Sequence, residues 1–275
     1  MKLLYSVNLE FITPCFCSGA NPQEPEIRPA SIRGEFRRWL RIFGADLETE
    51  SRIMGSAPNN NDEDDDKKTG GKSLLTFRVL NVKKAPPFTA WKNWKLAEID
   101  KPGKGYLTFF LTRQNPMKEC LAPETSFTLQ LWLRKDLSEE EDNLVWEAWS
   151  AMIDFGSIGA RTSRGFGAWV SDENKNADEL PVELEGFERQ RIPIPGATQE
   201  RRFDTIGNLA KTIRKTNGYS GKKPSPMGYV DGKSRQKSIF IFRPVVSARE
   251  VALVILRFPE FYAPPKRKQK PGFRR

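Results

Sequence analysis

Residues 156–167 read Gly156-Ser-Ile-Gly-Ala-Arg-Thr-Ser-Arg-Gly-Phe-Gly167, and they carry the strongest signal in the chain. Four glycines alternate with Arg161 and Arg164 over these twelve residues. Glycine accepts a positive φ and lets the backbone approach a ligand closely. Successive backbone N–H groups in such a loop suit anions, and arginine adds bidentate phosphate contacts. The stretch predicts a loop that holds a phosphate backbone, of a nucleotide or of a nucleic acid, although an ordinary helix-to-strand connection is the structural alternative.

Hydrophobic periodicity on either side of this loop predicts the fold class. Ser138 and Glu141 form a capping box that opens a helix ending near residue 155, and residues 168–170 continue as a strand. The other predicted elements of this half are strands at 2–16, 73–83, 106–112 and 127–133, and a helix at 31–43 with Ser31 as its N-cap. The order predicts an α+β, ferredoxin-like (RRM-like) βαββαβ domain with insertions, a layout that many RNA-binding modules use.

Composition changes after this domain. We expect the ferredoxin-like domain to span residues 1–172, and a smaller second α+β domain, complete or degenerate ferredoxin-like, to span 173–262. Within the latter, residues 179–199 suit a linker or edge strand, 203–216 a short basic helix, and 238–246 and 251–258 two strands. Residues 263–275 form a basic tail that we expect to be flexible.

The positive charge is concentrated at the C-terminal end. The net charge is +10, yet residues 222–275 hold 14 Lys and Arg against 3 Asp and Glu, so the preceding residues are nearly neutral. Such a region favours a polyanion contact, because each neutralised phosphate releases counterions. A solubilising tail is the alternative. The predicted first helix adds a basic face formed by Arg33, Arg37 and Arg41 with Arg38 adjacent, which would bind phosphate or simply be solvated.

The chain lacks the residues that most catalytic sites and cofactor sites require. The chain has no histidine and only three cysteines, so it lacks the commonest general base and cannot build the usual closed zinc site alone. Gly71-Lys72-Ser73 lacks the preceding glycine of a P-loop, and the acidic run within 59–71 lacks calcium-loop spacing. We therefore expect no catalytic residues, no metal and no cofactor. No apolar run reaches membrane-spanning length and no signal peptide is evident, so we expect a cytoplasmic protein.

Three motifs, in order, resemble the RAMP superfamily of CRISPR-associated proteins. The glycine-rich loop at 156–167 is similar to that family's loop. The stretch at 26–39, with Ser31, Arg33 and Arg37, resembles the first helix of the RAMP subunit at the head, or guide 3′ end, of type III-B (Cmr) effector complexes. Residues 53–56 resemble that family's Ile-Phe-Gly-Ser element.

The resemblance implies a non-catalytic RNA-binding subunit of an RNA-guided antiviral complex. Its partners would be guide (CRISPR) RNA, target RNA and other RAMP subunits, with no membrane. The candidate RNA-binding residues are Ser31, Arg33, Arg37, Arg38, Arg41, Gly159, Arg161, Thr162, Ser163, Arg164, Gly165 and Gly167.

Two other functions fit parts of the sequence. One is a metal-independent guide-processing ribonuclease that uses a Lys or Tyr base. The other is a free-standing single-strand RNA-binding module, in which Trp91, Trp94 and a partial RNP1 motif at 164–167 would contact bases.

Overall fold

The computed structural model describes residues 1–56, 71–94, 103–108, 111, 117–178, 188–194, 198–216, 229–231, 234–236 and 240–257. A four-stranded antiparallel sheet with the order β2-β3-β1-β4 organises the first half. Its strands are β1 (Lys2–Phe11), β2 (Leu75–Lys83), β3 (Ser126–Leu133) and β4 (Trp169–Ser171). The helices of this half are α1 (Pro29–Ile42), α2 (Leu47–Met54), α3 (Gly103–Thr108), α4 (Glu139–Phe155) and α5 (Asp172–Asn176). The predicted βαββαβ order is confirmed, with α2 and α3 as additions.

Alternation along β3 decides which face of the sheet is buried. Phe127, Leu129, Leu131 and Leu133 point into the core, whereas the residues between them stay partly exposed. Because side chains alternate across a strand, only one face is covered by α1 and α4. The capping box of Ser138 and Glu141 forms as predicted and fixes the start of α4.

Three local predictions in this half are wrong. The first strand ends at Phe11 rather than at residue 16. The N-cap of α1 is Arg28 rather than Ser31, because Pro29 takes the first helical position, where its fixed φ and missing N–H cost nothing. Residues 106–108 belong to α3 rather than to a strand.

A second sheet forms in the C-terminal half. It has the order β5-β9-β8, from β5 (Glu188–Pro193), β8 (Phe240–Val246) and β9 (Val251–Arg257), with the helix α6 (Gln199–Thr216) and a hairpin of β6 (Tyr229–Asp231) and β7 (Ser234–Gln236). The helix predicted at 203–216 and both later strands are confirmed, and β5 is an edge strand as expected. The domain boundary at 172/173 stays a prediction. The tail at 263–275 and nearly all of the acidic run lie outside the described residues.

The glycine-rich loop lies between the two halves. The Gly167 N–H donates to Pro14 O at 2.9 Å, and the Ala160 N–H donates to Phe16 O at 3.0 Å. On its other side the loop meets β8, where the Phe242 N–H donates to Ser163 O at 3.3 Å. The loop therefore joins the first sheet to the second.

Gly167→Ala should lower the free energy of unfolding by about 3 kcal/mol, because a non-glycine residue is strained in the left-handed region. Gly167 has a φ of +65°, and a Cβ there would overlap the carbonyl oxygen of Ile158. Urea denaturation of the purified chain measures the change. The matched control is Gly34→Ala within α1, where an added Cβ meets nothing within 4 Å and alanine favours the helix. Equal effects of both substitutions would contradict this account of the loop.

Candidate nucleic-acid interface

Arg161 of the glycine-rich loop contacts the end of a neighbouring helix. Its Nε donates to Leu107 O at 3.0 Å and its Nη2 to Tyr106 O at 3.3 Å, near the C-terminus of α3. Cations are favourable at helix C-termini, where carbonyl groups lack intrahelical partners. Arg161 also has a φ of +64°, which is uncommon for a residue with a side chain. The side chain is half-buried, so it retains contact with solvent.

Arg164 is buried, contrary to the expectation that it faces a phosphate backbone. Its residue is only 8% exposed, and its guanidinium carbon lies 5.6 Å from the centroid of the Phe242 ring. The neighbouring Phe166, which belongs to the partial RNP1 motif, is also buried and stacks on Phe203 with ring centroids 4.3 Å apart. The second half of the loop is therefore packed against the C-terminal sheet and helix.

The accessible part of the loop is its first half. Gly159 is exposed, and Arg161, Thr162 and Ser163 are partly exposed, whereas Gly165 and Gly167 are buried. Gly159 has a φ of +94°, and a Cβ there would lie 2.7 Å from Phe16 O. The structure thus brings together four of the candidate residues at one solvent-facing turn.

A basic cleft of about 630 Å³ lies at the N-terminal end of α1. It is bounded by the start of α1, the segment that follows α2, and the adjoining ends of β2 and β3. Its polar and charged lining residues are Arg33, Arg37, Ser56, Lys72, Ser73, Thr76 and Arg134.

Three guanidinium groups share this cleft. Burial lowers the pKa of Arg33, and the nearby charges of Arg37 and Arg134 lower it further. Such like-charge repulsion is relieved when an anion binds between the cations. Arg33 Nη2 donates to Met54 O at 2.6 Å and Arg134 Nε donates to Thr76 Oγ1 at 2.8 Å, so neutral oxygens orient both groups without cancelling their charge.

The other arginines of α1 lie beside carboxylates. Arg37 Nη1 donates to Glu50 Oε1 at 2.6 Å and Arg41 Nη2 donates to the same oxygen at 2.8 Å. Arg38 lies 3.5 Å from the Glu35 carboxylate. The basic face predicted for α1 is therefore divided: Arg33 and Arg37 line the cleft, while Arg38 and Arg41 are not among its lining residues.

Ser31 takes part in a different contact. The Cys17 thiol donates to Ser31 Oγ at 3.4 Å, and Ser31 is not a lining residue of the cleft. The Cys17 pKa is lowered to about 6, first by a hydrogen bond from Cys15 and further by Ser31.

Sequence reasoning missed Lys72, Thr76 and Arg134 as site residues. They come from the segment before β2, from β2 itself and from the end of β3, and no shared motif links them. Only the sheet register brings them to α1: β2 and β3 pair so that Thr76 lies opposite Trp132. Of these three residues, only Lys72 was noticeable in the sequence, because it belongs to the Gly71-Lys72-Ser73 stretch that partly resembles a P-loop.

Trp91 and Trp94 do not form a base-stacking surface. They are 0% and 1% exposed, and they pack with Phe16 and Phe203 in the core beneath the C-terminal half. Among the described residues, no cluster of three or more Cys, Asp or Glu is placed to hold a metal ion. The helices described here include none of the length and apolarity that crossing a membrane requires.

A sequence model of the RAMP superfamily matches residues 8–171. The chain belongs to the RAMP superfamily. The match runs from the second half of β1 to the end of β4, and includes both the cleft and the glycine-rich loop. A search of curated proteins found no match.

Solved structures show the same fold over nearly the whole chain. Cmr1 from Pyrococcus furiosus in its apo form is 18% identical with a TM-score of 0.56, covering 97% of this chain and 91% of that one. A chain of the type III-B Cmr-beta complex bound to cognate target RNA is 13% identical with a TM-score of 0.53, covering 97% and 96%. The chain thus has the RAMP fold seen in Cmr subunits of type III-B CRISPR effector complexes, as the sequence resemblance implied.

Glu50→Gln should lower the free energy of unfolding by roughly 2 kcal/mol near neutral pH, because it removes charged hydrogen bonds. Burial opposes ionisation of Glu50, which is 1% exposed, but hydrogen bonds from Arg41 and Arg37 outweigh it and lower the pKa. A lowered folded-state pKa stabilises the protein above the unfolded value of about 4.3, and this contribution is lost as pH falls below it. The deficit of the variant should therefore shrink below about pH 4.3.

Urea denaturation at a series of pH values measures this difference. The matched control is Glu119→Gln, which removes a partly exposed ion pair with Lys92. Such pairs contribute less than about 1 kcal/mol. A pH-independent deficit for Glu50→Gln would show that the carboxylate charge is not what stabilises the α1–α2 contact.

Arg164→Ala should separate a structural role from RNA binding. Because the Arg164 side chain is buried against Phe242, we expect a loss of about 2 kcal/mol in the free energy of unfolding, as for other buried contacts. The RNA affinity of the folded fraction should change less than about twofold. Denaturation and fluorescence anisotropy with a labelled RNA measure the two quantities. A large loss of affinity without destabilisation would instead assign Arg164 to the RNA.

Proposed function

We propose that this chain is a non-catalytic, RNA-binding subunit of a cytoplasmic type III-B CRISPR effector complex. Its partners in antiviral defence would be guide RNA, target RNA or both, together with other RAMP subunits. The observation that carries the proposal is the basic cleft at the start of α1, in which Arg33, Arg37, Lys72 and Arg134 converge. The similar Cmr-beta structure contains cognate target RNA, which supports RNA as the ligand of this chain.

The chemistry of the cleft suits a phosphate backbone. Two of its arginines lie against neutral carbonyl or hydroxyl oxygens, so their charge is available to an anion. The cleft also contains hydroxyl groups of Ser56, Ser73 and Thr76, which can donate to phosphate oxygens. The α1 N-terminus lines the same space, and its first turn contains no acidic residue. Each of these groups favours negative charge at this position.

We assign the glycine-rich loop a second, smaller contact. Gly159, Arg161, Thr162 and Ser163 form its accessible half and remain candidate RNA-binding residues. Arg164, Gly165 and Gly167 are buried and act through the conformation of the loop. Ser31, Arg38 and Arg41 remain candidates on the same helix as the cleft arginines.

The two alternative functions have less support. The free-standing RNA-binding module relied on Trp91, Trp94 and the partial RNP1 motif, and the aromatic side chains of all three are buried. The ribonuclease needs a Lys or Tyr base, and the cleft contains Lys72 but no tyrosine among its lining residues. Cleavage in the complex would then belong to other subunits.

Arg134→Ala should weaken binding of a 5′-labelled single-stranded RNA about fivefold at low salt. It should also reduce the slope of log affinity against log salt by about 0.7, the value for one phosphate contact on a single strand. Fluorescence anisotropy over a salt series measures both quantities. The expected cause is loss of an exposed cation at the mouth of the cleft.

The matched control is Arg249→Ala. The Arg249 side chain is 70% exposed in the turn between β8 and β9 and lies 3.0 Å from Asp178, so its removal takes away one positive charge outside the cleft from an exposed ion pair. An equal loss in both variants would indicate diffuse attraction by net charge and would reject the cleft. A denaturing gel of the same incubations, with and without a chelator, tests for cleavage. Defined products would favour the ribonuclease.

A further inference from the structure

The face of the four-stranded sheet opposite α1 and α4 is partly open to solvent. Residues on this face alternate with the buried ones along β3 and its neighbours. Its exposed and partly exposed members in β1, β2 and β3 are Leu3, Ser6, Asn8, Thr76, Arg78, Leu80, Thr128, Gln130 and Trp132. Leu3 and Leu80 are each 41% exposed on it.

An arginine stacked on a tryptophan lies on this face. The guanidinium carbon of Arg78 is 4.7 Å from the centroid of the Trp132 ring. Arg78 is exposed, so one side of its planar guanidinium faces the indole and the other faces solvent. Nucleic-acid bases stack on both guanidinium planes and aromatic rings.

Two separate sets of hydrogen bonds fix the polar groups beside this stack. Trp132 Nε1 donates to Gln130 Oε1 at 2.9 Å, which holds the indole ring in place. Thr128 Oγ1 donates to Asn8 Oδ1 at 2.9 Å, and Asn81 Nδ2 lies 3.3 Å from the same hydroxyl. Amide and hydroxyl groups held in fixed positions can bind the edges of unpaired bases.

The open face is continuous with the basic cleft. Thr76 belongs to both, because it lines the cleft and pairs with Trp132 across the β2–β3 ladder. Arg134, two residues beyond Trp132, donates to the Thr76 hydroxyl. A strand whose phosphates lie in the cleft therefore meets Arg134 first and the Arg78–Trp132 stack next.

We propose that the open face of this sheet binds single-stranded RNA emerging from the cleft, with one base stacked on the Arg78–Trp132 pair and its neighbours on the Gln130–Thr128–Asn8 row. The proposal rests on the proposed function and adds base contacts to it. Central strands of RRM sheets present aromatic residues to bases in the same way, and β3 is a central strand here.

The charges and polar groups of this face fit RNA better than an apolar partner surface. Its exposed cations are Arg78 and Lys83 on β2 and Arg134 just beyond β3. Glu10, at its far side on β1, is paired with Lys175 at 2.8 Å. The apolar side chains of this face are few: Leu3 lies opposite Trp132, and Leu80 lies among polar residues. A protein partner on this face is the competing occupant.

Trp132→Leu should weaken binding of a fluorescein-labelled oligouridine of twelve nucleotides about tenfold, because stacking on an aromatic side chain is lost. Trp132→Phe should recover most of the affinity, since it retains a ring. The matched control is Trp146→Leu, which removes a 57% exposed tryptophan from α4 on the other side of the sheet and should change affinity less than twofold. Urea denaturation confirms that each variant is folded.

An abasic oligomer of the same length separates base contacts from phosphate contacts. On it, Trp132→Leu should bind as the wild type does, whereas Arg134→Ala should still bind more weakly. Crosslinking with 5-iodouridine RNA, followed by mass spectrometry, should identify the peptide that contains Trp132.

Two results would overturn the inference separately from the proposed function. In the first result, Arg134→Ala weakens binding of oligouridine, Trp132→Leu leaves the affinity unchanged, and no crosslink falls on the open face. The cleft then binds RNA and the sheet does not. If Trp132→Leu instead abolishes capture of another protein subunit with RNA affinity unchanged, the face is a protein interface. If the wild-type chain binds neither oligomer, the proposed function fails as well.

Discussion

The close backbone contact between the glycine-rich loop and residues 13–17 is the constraint on which the rest of the structure depends. Thr13 Oγ1 accepts from the Ala168 N–H at 2.9 Å, and Pro14 O accepts from Gly167 at 2.9 Å. A Cβ at Gly159 would collide with the Phe16 carbonyl, so glycine is required where the loop approaches this backbone most closely. The contact carries the chain from α4 into β4 beside β1. It also presents the outer side of the loop to β8.

Arginine has two different roles in this chain, and the surroundings of each side chain decide which role it has. Arg164 stabilises the junction of the two sheets because it is buried against an aromatic ring. Arg41 holds α2 against α1 through the Glu50 carboxylate. Arg33 and Arg134 lie among other cations, an arrangement that costs electrostatic energy until an anion binds. Arg33 and Arg134 therefore leave positive charge for an anion, whereas the charge of Arg41 is balanced by Glu50.

The sequence predicted the fold well because the fold depends on local periodicity. The alternation along β3 and the capping box of α4 are present in the structure at almost the same residues as predicted. The candidate site was harder to predict, since residue spacing does not show in which direction each side chain of a loop points. Nothing local distinguishes Arg161, which reaches the end of α3, from Arg164, which turns inward. Arg134 and Lys72 join the cleft only through strand pairing, a relation that a single sequence does not display.

The position of the cleft follows from the topology of the sheet. Because β1 and β3 are central and β2 is an edge strand, the β2–β3 end lies away from the described contacts of the C-terminal half, which are with the glycine-rich loop, α3, α4 and β4. The buried half of the glycine-rich loop packs in the contact between the two halves of the chain. Among the described residues, the basic cleft therefore lies at the opposite side of the sheet, where α1 begins and where the open face meets the cleft. The fold thus separates the contacts that hold its two halves together from the surface that remains available to a ligand.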